Sequence, residues 1–274
     1  MAHWLVVRPI RLGCALVLAS VILMSALGPV LSPHGTTEID SGNTFAPPST
    51  KHFMGTDELG RDIFTRVMAG GLLSLTISLS VLTLTVIVGV LVGAAAGYYG
   101  GWADLVLMRV TEVFLTFPSL VLAMAIAASF GPSLTNTILA LSIAWWSSYA
   151  RLLRARMLEV REEQFIEAAR AIGMSPRRVL FRHALPSCLG PILVRVTNDL
   201  GAVILFSTTL GFLGLGPQPP SCEWGLMVST GARYLAFAPW YAVAPGLAIF
   251  ATVLAFAILG DELHESYRQT AQRV

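Results

Sequence analysis

Long apolar segments alternate with short polar ones along most of this chain. A helix of about 20 apolar residues crosses the roughly 30 Å hydrocarbon core of a bilayer. By that measure the pattern predicts six transmembrane helices. They cover residues 12–31, 72–97, 104–130, 134–150, 189–210 and 241–260. We therefore expect an all-α integral membrane protein.

The same pattern divides the chain into four regions. Residues 1–31 carry the first span, and residues 32–71 form a polar loop in which positions 57–66 suit a short interfacial helix. Five further spans make up a core over residues 72–265, and residues 266–274 form a polar tail. A cleaved signal peptide is the alternative for the first region. Because the apolar run lacks a convincing small-residue cleavage site, we favour an uncleaved span.

Small and aromatic residues within the spans predict how the helices pack. The second span carries glycines four apart on one face, which lets a neighbouring helix approach closely: Gly89, Gly93 and Gly97. Pro118 predicts a kink in the third span, and Pro245-Gly246 predicts a bend in the sixth. The fourth span carries aromatic residues that we expect to anchor it at the membrane interface, namely Trp145, Trp146 and Tyr149.

Composition agrees with a membrane protein. Hydrophobic residues make up 55% of the chain and charged residues 12%, whereas a soluble domain has about 25% charged residues. The net charge of +2 is too small to indicate a nucleic-acid partner. The three cysteines lie far apart without ligand or redox spacing, so we interpret them as small apolar residues.

The distribution of positive charge predicts the orientation. Cytoplasmic segments of membrane proteins carry an excess of Lys and Arg. With the N-terminus inside, the outer segments contain only Lys51, Arg61, Arg66 and Arg233. The inner segments then contain Arg8, Arg11, Arg109, Arg151, Arg154, Arg156, Arg161, Arg170, Arg177, Arg178, Arg182, Arg268 and Arg273. We therefore expect both termini, and the polar segment between the fourth and fifth spans, in the cytoplasm.

That polar segment, residues 160–186, is called the hairpin below. Its first short helix is predicted to present an apolar face formed by Phe165, Ala168, Ala169 and Ile172. Gly173 should end this helix, because glycine readily adopts the left-handed conformation of a helix C-terminus. Ser175-Pro176 suits the start of a second short helix, and Pro186 is predicted to end it.

Charge in the hairpin is segregated, with acidic residues such as Glu167 in the first helix and arginines along the second. A soluble-looking helix pair on a membrane protein suggests a docking element for a partner. A basic surface against lipid head groups is the alternative.

A second candidate site lies in the fifth span. It consists of the polar residues Arg195, Asn198 and Asp199. Arg195 and Asp199 are four residues apart, so they can pair with each other or line an aqueous translocation path. Structural pairing near the inner interface and contact with a substrate both remain open.

The sequence contains no motif for catalysis. It has no Walker-type glycine loop, HExxH or GxSxG, and we find no group of ionisable residues at one depth across several spans. The histidines are scattered and are interpreted as solvated or satisfied rather than as metal ligands: His3, His34, His52, His183 and His264. We therefore expect no catalytic, metal or cofactor site in this chain.

Several stretches resemble a known family. EAARAIGMSPRRVLFRHALP is similar to the EAA loop of ABC-transporter permeases. MGTDELGRDIFTRV, FLGLGPQPPSCEWG and APWYAVAPGLAIFATVLAFAILGDEL resemble the dipeptide/oligopeptide/nickel class of those permeases, over residues 50–265 and in order. One departure is Cys222-Glu223 before Trp224, where Pro-Ser or a similar pair is expected.

The resemblance implies a type I importer in the inner (plasma) membrane. Such an importer pairs two six-span permeases with two cytoplasmic ATPases, which carry ATP and Mg²⁺, and with an extracytoplasmic substrate-binding protein. The EAA loop is the coupling helix of this family, so Glu167, Ala168 and Ala169 would form the face that docks on the ATPase, with Gly173 as the turn. Peptides, nickel or another small solute remain open as the substrate.

A stand-alone channel or secondary transporter is the runner-up. It would need inverted repeats and broken helices that carry ligands for a coupling ion. The sequence shows neither feature.

Overall fold

The computed structural model describes residues 2–271, which form helices and contain no β-strand. The helices are α1 Ala2–Leu31, α2 Ile63–Tyr99, α3 Gly101–Thr116, α4 Ser119–Phe130, α5 Leu134–Val160, α6 Gln164–Ala171, α7 Pro176–Val179, α8 Leu185–Phe212, α9 Trp224–Ala232 and α10 Trp240–Ala271. A 3-10 turn lies at Ser41–Asn43, and a π-helical turn at Leu180–Ala184 joins α7 to α8.

Three of these helices are long and apolar enough to cross a membrane. They are Ile63–Tyr99, the continuous helix Pro176–Phe212, and Trp240–Glu262. Helices α3 and α4 qualify together as a fourth span, although they meet at 90°. The apolar part of α1 is the shorter segment Leu12–Gly28. By length and composition the described residues thus provide three or four spans, and the full set of six stays a prediction.

The break between α3 and α4 is sharper than the predicted kink. Proline lacks a backbone N–H and disfavours the helical conformation in the residue before it. Phe117 accordingly adopts an extended conformation, with φ −91° and ψ 139°, and Pro118 becomes the N-cap of α4. The predicted third span is therefore two helices rather than one bent helix.

Helix α2 starts nine residues before the predicted span. Its N-cap is Asp62, whose carboxylate accepts a hydrogen bond from the Thr65 N–H at 2.8 Å. Such a cap satisfies one of the free N–H groups of a first helical turn. Residues 57–62 are not helical, so the predicted interfacial helix over 57–66 is wrong in its first half. Asp57 instead forms an ion pair with Arg61, in which the Arg61 Nε lies 2.7 Å from the Asp57 Oδ2.

Helix α10 extends beyond the predicted end of the sixth span. It continues to Ala271, so part of the predicted polar tail is helical. The residues after Gly260 include Glu, Leu, Arg, Gln and Ala, which favour helices, and contain no Gly or Pro that would stop one.

The segment between α8 and α9 is a loop that contacts α2 through the residue at its end. Trp224, at its end, is 1% exposed and donates its indole N–H to the Val67 carbonyl at 2.8 Å. The loop is thus tied to the first turns of α2. Helix α9, which follows, had no counterpart among the predicted elements.

The most extensive helix–helix contact within residues 2–271 joins α2 and α5. The predicted glycine face produces it. A Cβ placed on Gly93 would lie 2.4 Å from the Ala150 carbonyl oxygen, and one on Gly89 would lie 2.5 Å from the Tyr149 Cβ. A Cβ on Gly97 would lie 2.7 Å from the Met157 Cβ. The prediction that these glycines allow close approach is confirmed.

Adding one methyl group to this contact should destabilise the protein. We expect Gly93→Ala to lower the free energy of unfolding by about 1–3 kcal/mol, because neither helix backbone can move away without losing its packing. Thermal unfolding in detergent micelles measures this change. Gly13→Ala is the matched control, since a Cβ there meets nothing within 4 Å. Equal midpoints for the two variants would contradict the close-contact interpretation.

Candidate coupling hairpin and buried polar cluster

The first helix of the hairpin ends as predicted. Gly173 has a φ of +79°, in the left-handed region. The Gly173 N–H donates to the Arg170 carbonyl at 3.0 Å, and the Met174 N–H donates to the Ala169 carbonyl at 3.2 Å. This pair of bonds is a Schellman motif, which closes a helix C-terminus and favours glycine. The turn that separates α6 from α7 is therefore fixed by its backbone.

Helix α6 has one face turned towards the bundle. Ile166 is 0% exposed and Ala169 is 6% exposed, and both belong to the main hydrophobic core of the chain. The structure thus differs from the predicted single apolar face, because Ala169 lies on the buried side. Helical geometry explains the difference, since positions 166 and 169 share a face one turn apart.

The other face of α6 is exposed. Phe165 is 45% exposed and Ile172 is 78% exposed, and Glu167 and Ala168 are exposed beside them. Large apolar side chains in a charged segment outside the spans are typical of a docking surface. The predicted docking residues other than Ala169 are accordingly accessible to a partner.

The second half of the hairpin runs directly into the membrane helix. Ser175 occupies the N-cap position of α7, with an extended backbone but no capping bond from its side chain. The helix does not end at Pro186 as predicted. A π-helical turn precedes this proline, and the Leu185 N–H donates to the Leu180 carbonyl. Such a turn widens the helix, so the proline ring avoids the clash that it causes in a regular helix.

The hairpin also contacts the end of α2. The Arg161 guanidinium donates to the Gly97 carbonyl at 3.2 Å, and the Arg170 guanidinium lies 5.7 Å from the centre of the Tyr98 ring. Arg154 on α5 pairs through two N–H groups with Asp104 on α3, one of them at 2.6 Å. These arginines fasten the hairpin end of the bundle to the turn between α2 and α3.

The polar residues of α8 form a cluster with a residue from α5. Arg195 donates to Asp199 at 3.1 Å, which is one of the two arrangements that their spacing allowed, and the Tyr149 hydroxyl donates to the same carboxylate oxygen at 2.8 Å. The Arg195 guanidinium lies 5.4 Å from the centre of the Tyr149 ring. A carboxylate between a cation and a hydroxyl is well compensated inside a membrane protein.

Asn198 lies apart from this cluster. Its side chain is packed against Gly260 of α10, where an added Cβ would be 2.0 Å from the Asn198 Oδ1. That oxygen is buried and has no hydrogen-bond partner among the described residues. The structure therefore brings together two of the three predicted pathway residues and places the third at a helix–helix contact.

The prediction that the aromatic residues of α5 anchor it at the interface needs correction. Tyr149 is 0% exposed and Trp146 is 8% exposed, so both are buried within the single chain. Trp145 is half-buried and stacks on Phe206 of α8 at 4.9 Å. Aromatic residues near the end of an apolar segment suit an interface equally well in sequence, and only the neighbouring helices show which side they face.

The family model for the inner membrane component of binding-protein-dependent transport systems matches residues 89–269. The chain belongs to this family. It is a permease subunit of an ABC importer and a multi-pass membrane protein, and it is not itself an enzyme. Membership implies ATPase, substrate-binding and second permease partners.

Curated relatives match nearly the whole permease. It is 41% identical to the dipeptide transport system permease protein DppC of Alkalihalophilus pseudofirmus, over 92% of this chain and 83% of that protein. It is 40% identical to the probable D,D-dipeptide transport system permease protein DdpC of Escherichia coli, over 94% and 86%. It is 40% identical to the glutathione transport system permease protein GsiD of Pectobacterium atrosepticum, over 80% and 73%.

Solved structures share the fold. A chain of the MetNI methionine ABC transporter, described as inward facing, aligns with a TM-score of 0.58 at 18% identity, over 74% of the permease and 96% of that chain. A chain of an amino acid ABC transporter solved with histidines aligns with a TM-score of 0.53 at 20% identity, over 74% and 94%. The type I importer permease fold is confirmed.

Glu223, where the sequence departs from the pattern of the permease class, is a buried residue that caps a helix. Glu223 is 0% exposed and caps α9 by accepting the Leu226 N–H at 2.8 Å, while its Oε1 has no partner among the described residues. Burial raises the pKa of the Glu223 carboxyl to about 7, although backbone N–H groups of Gly225 and Leu226 lower it in part. Neither the burial nor the cap is evident from the sequence alone.

The two faces of α6 predict different effects of truncation. We expect Ile166→Ala to lower the free energy of unfolding by about 2–5 kcal/mol, because it removes a fully buried side chain from the core. Phe165→Ala should lower the free energy of unfolding by well under half as much as Ile166→Ala does, because Phe165 is exposed in the single chain. Thermal unfolding of both variants of the permease without its partners checks this. A larger loss for Phe165→Ala would reverse the assignment of the faces.

Glu223 should make stability depend on pH. Since its pKa is raised in the folded protein, folding favours the protonated carboxyl, and the resulting stability is present at low pH and lost as the pH rises through about 7. Glu223→Gln should flatten the fall in unfolding temperature between about pH 4.5 and 7, while its side-chain carbonyl still accepts the Leu226 N–H. Glu38→Gln, at an exposed carboxylate, is the control. An unchanged slope in Glu223→Gln would contradict the assignment.

Proposed function

We propose that the permease forms half of the translocation pathway of an ATP-driven importer for di- or oligopeptides. A substrate-binding protein would deliver the peptide on the extracytoplasmic side. The observation that carries the substrate class is the set of relatives at 40% identity or more, whose names specify dipeptides, D,D-dipeptides and glutathione. These substrates share a peptide backbone. Nickel or another small solute is the alternative that the sequence left open.

The partner of the hairpin is proposed to be an ATPase subunit. The exposed face of the hairpin carries Phe165, Ile172 and the carboxylate of Glu167. The buried face of the hairpin is held in the core through Ile166. A docking element that transmits force needs both properties, an accessible surface and a firm attachment. We infer two ATPase subunits and one further permease, with ATP and Mg²⁺ bound by the ATPases.

The orientation is proposed with both termini and the hairpin in the cytoplasm. The excess of arginine in the inner segments supports this orientation. ATP binding would close the ATPases and draw the hairpins together, and the attached helices would then rock to open the path outward. Such alternation requires two packings of the bundle that differ by a few kcal/mol.

Coupling can be tested by reversing one charge on the docking face. In proteoliposomes that contain the complete importer, we expect Glu167→Lys to reduce peptide uptake at least tenfold and to remove the stimulation of ATPase activity by the binding protein. Glu38→Lys is the matched charge reversal on the opposite predicted side and should leave both unchanged. Full uptake and stimulation in Glu167→Lys, at normal permease content, would contradict the proposed docking.

The substrate class is tested separately in the same vesicles. Uptake of a radiolabelled dipeptide should require ATP and the binding protein, and excess unlabelled dipeptide should inhibit it. If the importer accumulates Ni²⁺ but no peptide, the substrate proposal is wrong while the permease assignment stands.

A further inference from the structure

A cluster of metal-ligating side chains lies in the loop between α1 and α2. His34, His52 and Asp62 each place one ligand atom within 4.8 Å of the others. The two histidines are 18 positions apart in sequence, and nothing in their spacing relates them. The fold of the loop brings them together, next to the cap of α2.

His52 and Asp62 form the buried half of this cluster. Their side chains are 5% and 3% exposed, and the His52 Nδ1 lies 2.9 Å from the Asp62 Oδ1. A carboxylate only accepts hydrogen bonds, so Nδ1 carries the proton and donates it. In the neutral imidazole, Nε2 then holds a lone pair. It is buried and has no hydrogen-bond partner among the described residues.

This arrangement is the one that proteins use around metal ions. A histidine that binds a metal through one nitrogen commonly donates the other N–H to a carboxylate, which fixes the ring and makes it a stronger ligand. Asp62 is itself held in place, because its Oδ2 accepts both the N–H and the hydroxyl of Thr65, at 2.8 and 2.7 Å.

His34 supplies the second imidazole. Its ring stacks on His52 with 4.7 Å between centroids and an angle of 27°. Its backbone N–H donates to the Ser32 hydroxyl at 3.2 Å, and Ser32 also bonds to Thr65. Ligands of a tetrahedral ion with bonds of about 2.0–2.1 Å lie about 3.4 Å apart. Since the ligand atoms lie within 4.8 Å of one another, a shift of at most about 1.4 Å by the half-exposed His34 ring would bring them to that separation.

The nearby cations leave the hydrogen-bonded pair of His52 and Asp62 intact, and the site is accessible. The nearby cations are directed to other acids, with Arg61 and Arg66 at 2.7 and 3.6 Å from Asp57, and Lys51 at 3.9 Å from Asp40. A cavity of about 440 Å³ is lined by His34 and Asp62 together with apolar residues of α1 and α2. An ion can approach the cluster through it.

We propose that His34 and His52 supply imidazole ligands to a divalent transition-metal ion with the ligand preference of Zn²⁺, that Asp62 orients the His52 ring as the outer-shell carboxylate, and that the ion fastens the loop to the start of α2. Imidazole nitrogen is a ligand that such ions accept. Bound metal would hold residues 34 and 52 against the helix cap. The proposal is independent of the transported substrate.

The test uses the purified, assembled importer, with an affinity tag that contains no histidine. Equilibrium dialysis against Zn²⁺ should give one more bound ion per permease for the wild type than for His34→Gln, with affinity lowered at least tenfold in the variant. His34→Gln keeps the buried His52–Asp62 pair, so it should fold. His264→Gln removes an imidazole that is far from both histidines in sequence, and it should bind Zn²⁺ as the wild type does.

Two measurements make the assignment specific. Co²⁺ bound at the site should give visible ligand-field absorption that is lost in His34→Gln and in His52→Gln. Zn²⁺ should raise the unfolding temperature of the wild type and of His264→Gln, but not that of His34→Gln. Equal Zn²⁺ binding by the wild type and His34→Gln, or no binding by either, would overturn the proposal.

Discussion

The close contact between α2 and α5 is the constraint on which the rest of the described structure depends. Three glycines, which have no side chains, let the two helix backbones touch, so the two helices can move only together. In a membrane, where helices gain little from excluding water, such contact is a main source of association. The contact also fixes Tyr149, which reaches from α5 to Asp199 on α8. It thereby sets the position of a third helix.

The hairpin is packed against the same hydrophobic core as α2 and α5 and is not a separate, loosely attached segment. Buried residues of the hairpin, such as Ile166 and Val179, belong to the same hydrophobic cluster as Tyr149 and Leu153 of α5. On its other side the hairpin passes into α8 without a break, through the π-helical turn. A displacement applied to α6 would therefore act on α5 and α8 at once. This geometry suits a coupling element, because a flexible linker would absorb the displacement.

Sequence reasoning succeeded where the deciding physics is local. The left-handed turn at Gly173 depends on residues no more than five apart, so spacing and residue type predicted it. The spacing of Arg195 and Asp199 likewise allowed their pairing as one of two alternatives. Sequence reasoning failed where a partner comes from elsewhere in the chain. Ile166 is buried in a hydrophobic cluster that also contains residues of α2, α5 and α8, and the α1–α2 loop joins His34 to His52. No pattern in the sequence contains these contacts.

Two further errors concern proline, because the sequence predicted a kink at Pro118 and a helix end at Pro186. Pro118 breaks its helix completely, whereas Pro186 lies within a continuous helix because a π-helical turn accommodates its ring. The same residue thus gives opposite outcomes, and the neighbouring backbone hydrogen bonds decide between them. The arginine distribution, by contrast, follows from a rule about whole segments. It supports the proposed orientation without depending on any single helix boundary.

The central claim is that the hairpin faces the cytoplasm and contacts the ATPase. Its most direct test is a single cysteine at Ile172, the most exposed apolar residue of the docking face, in a chain whose native cysteines are replaced by alanine. A membrane-impermeant maleimide should label this cysteine in inside-out vesicles but not in sealed right-side-out vesicles, and the assembled ATPase should protect it. Labelling only in right-side-out vesicles, or no protection by the ATPase, would contradict the account.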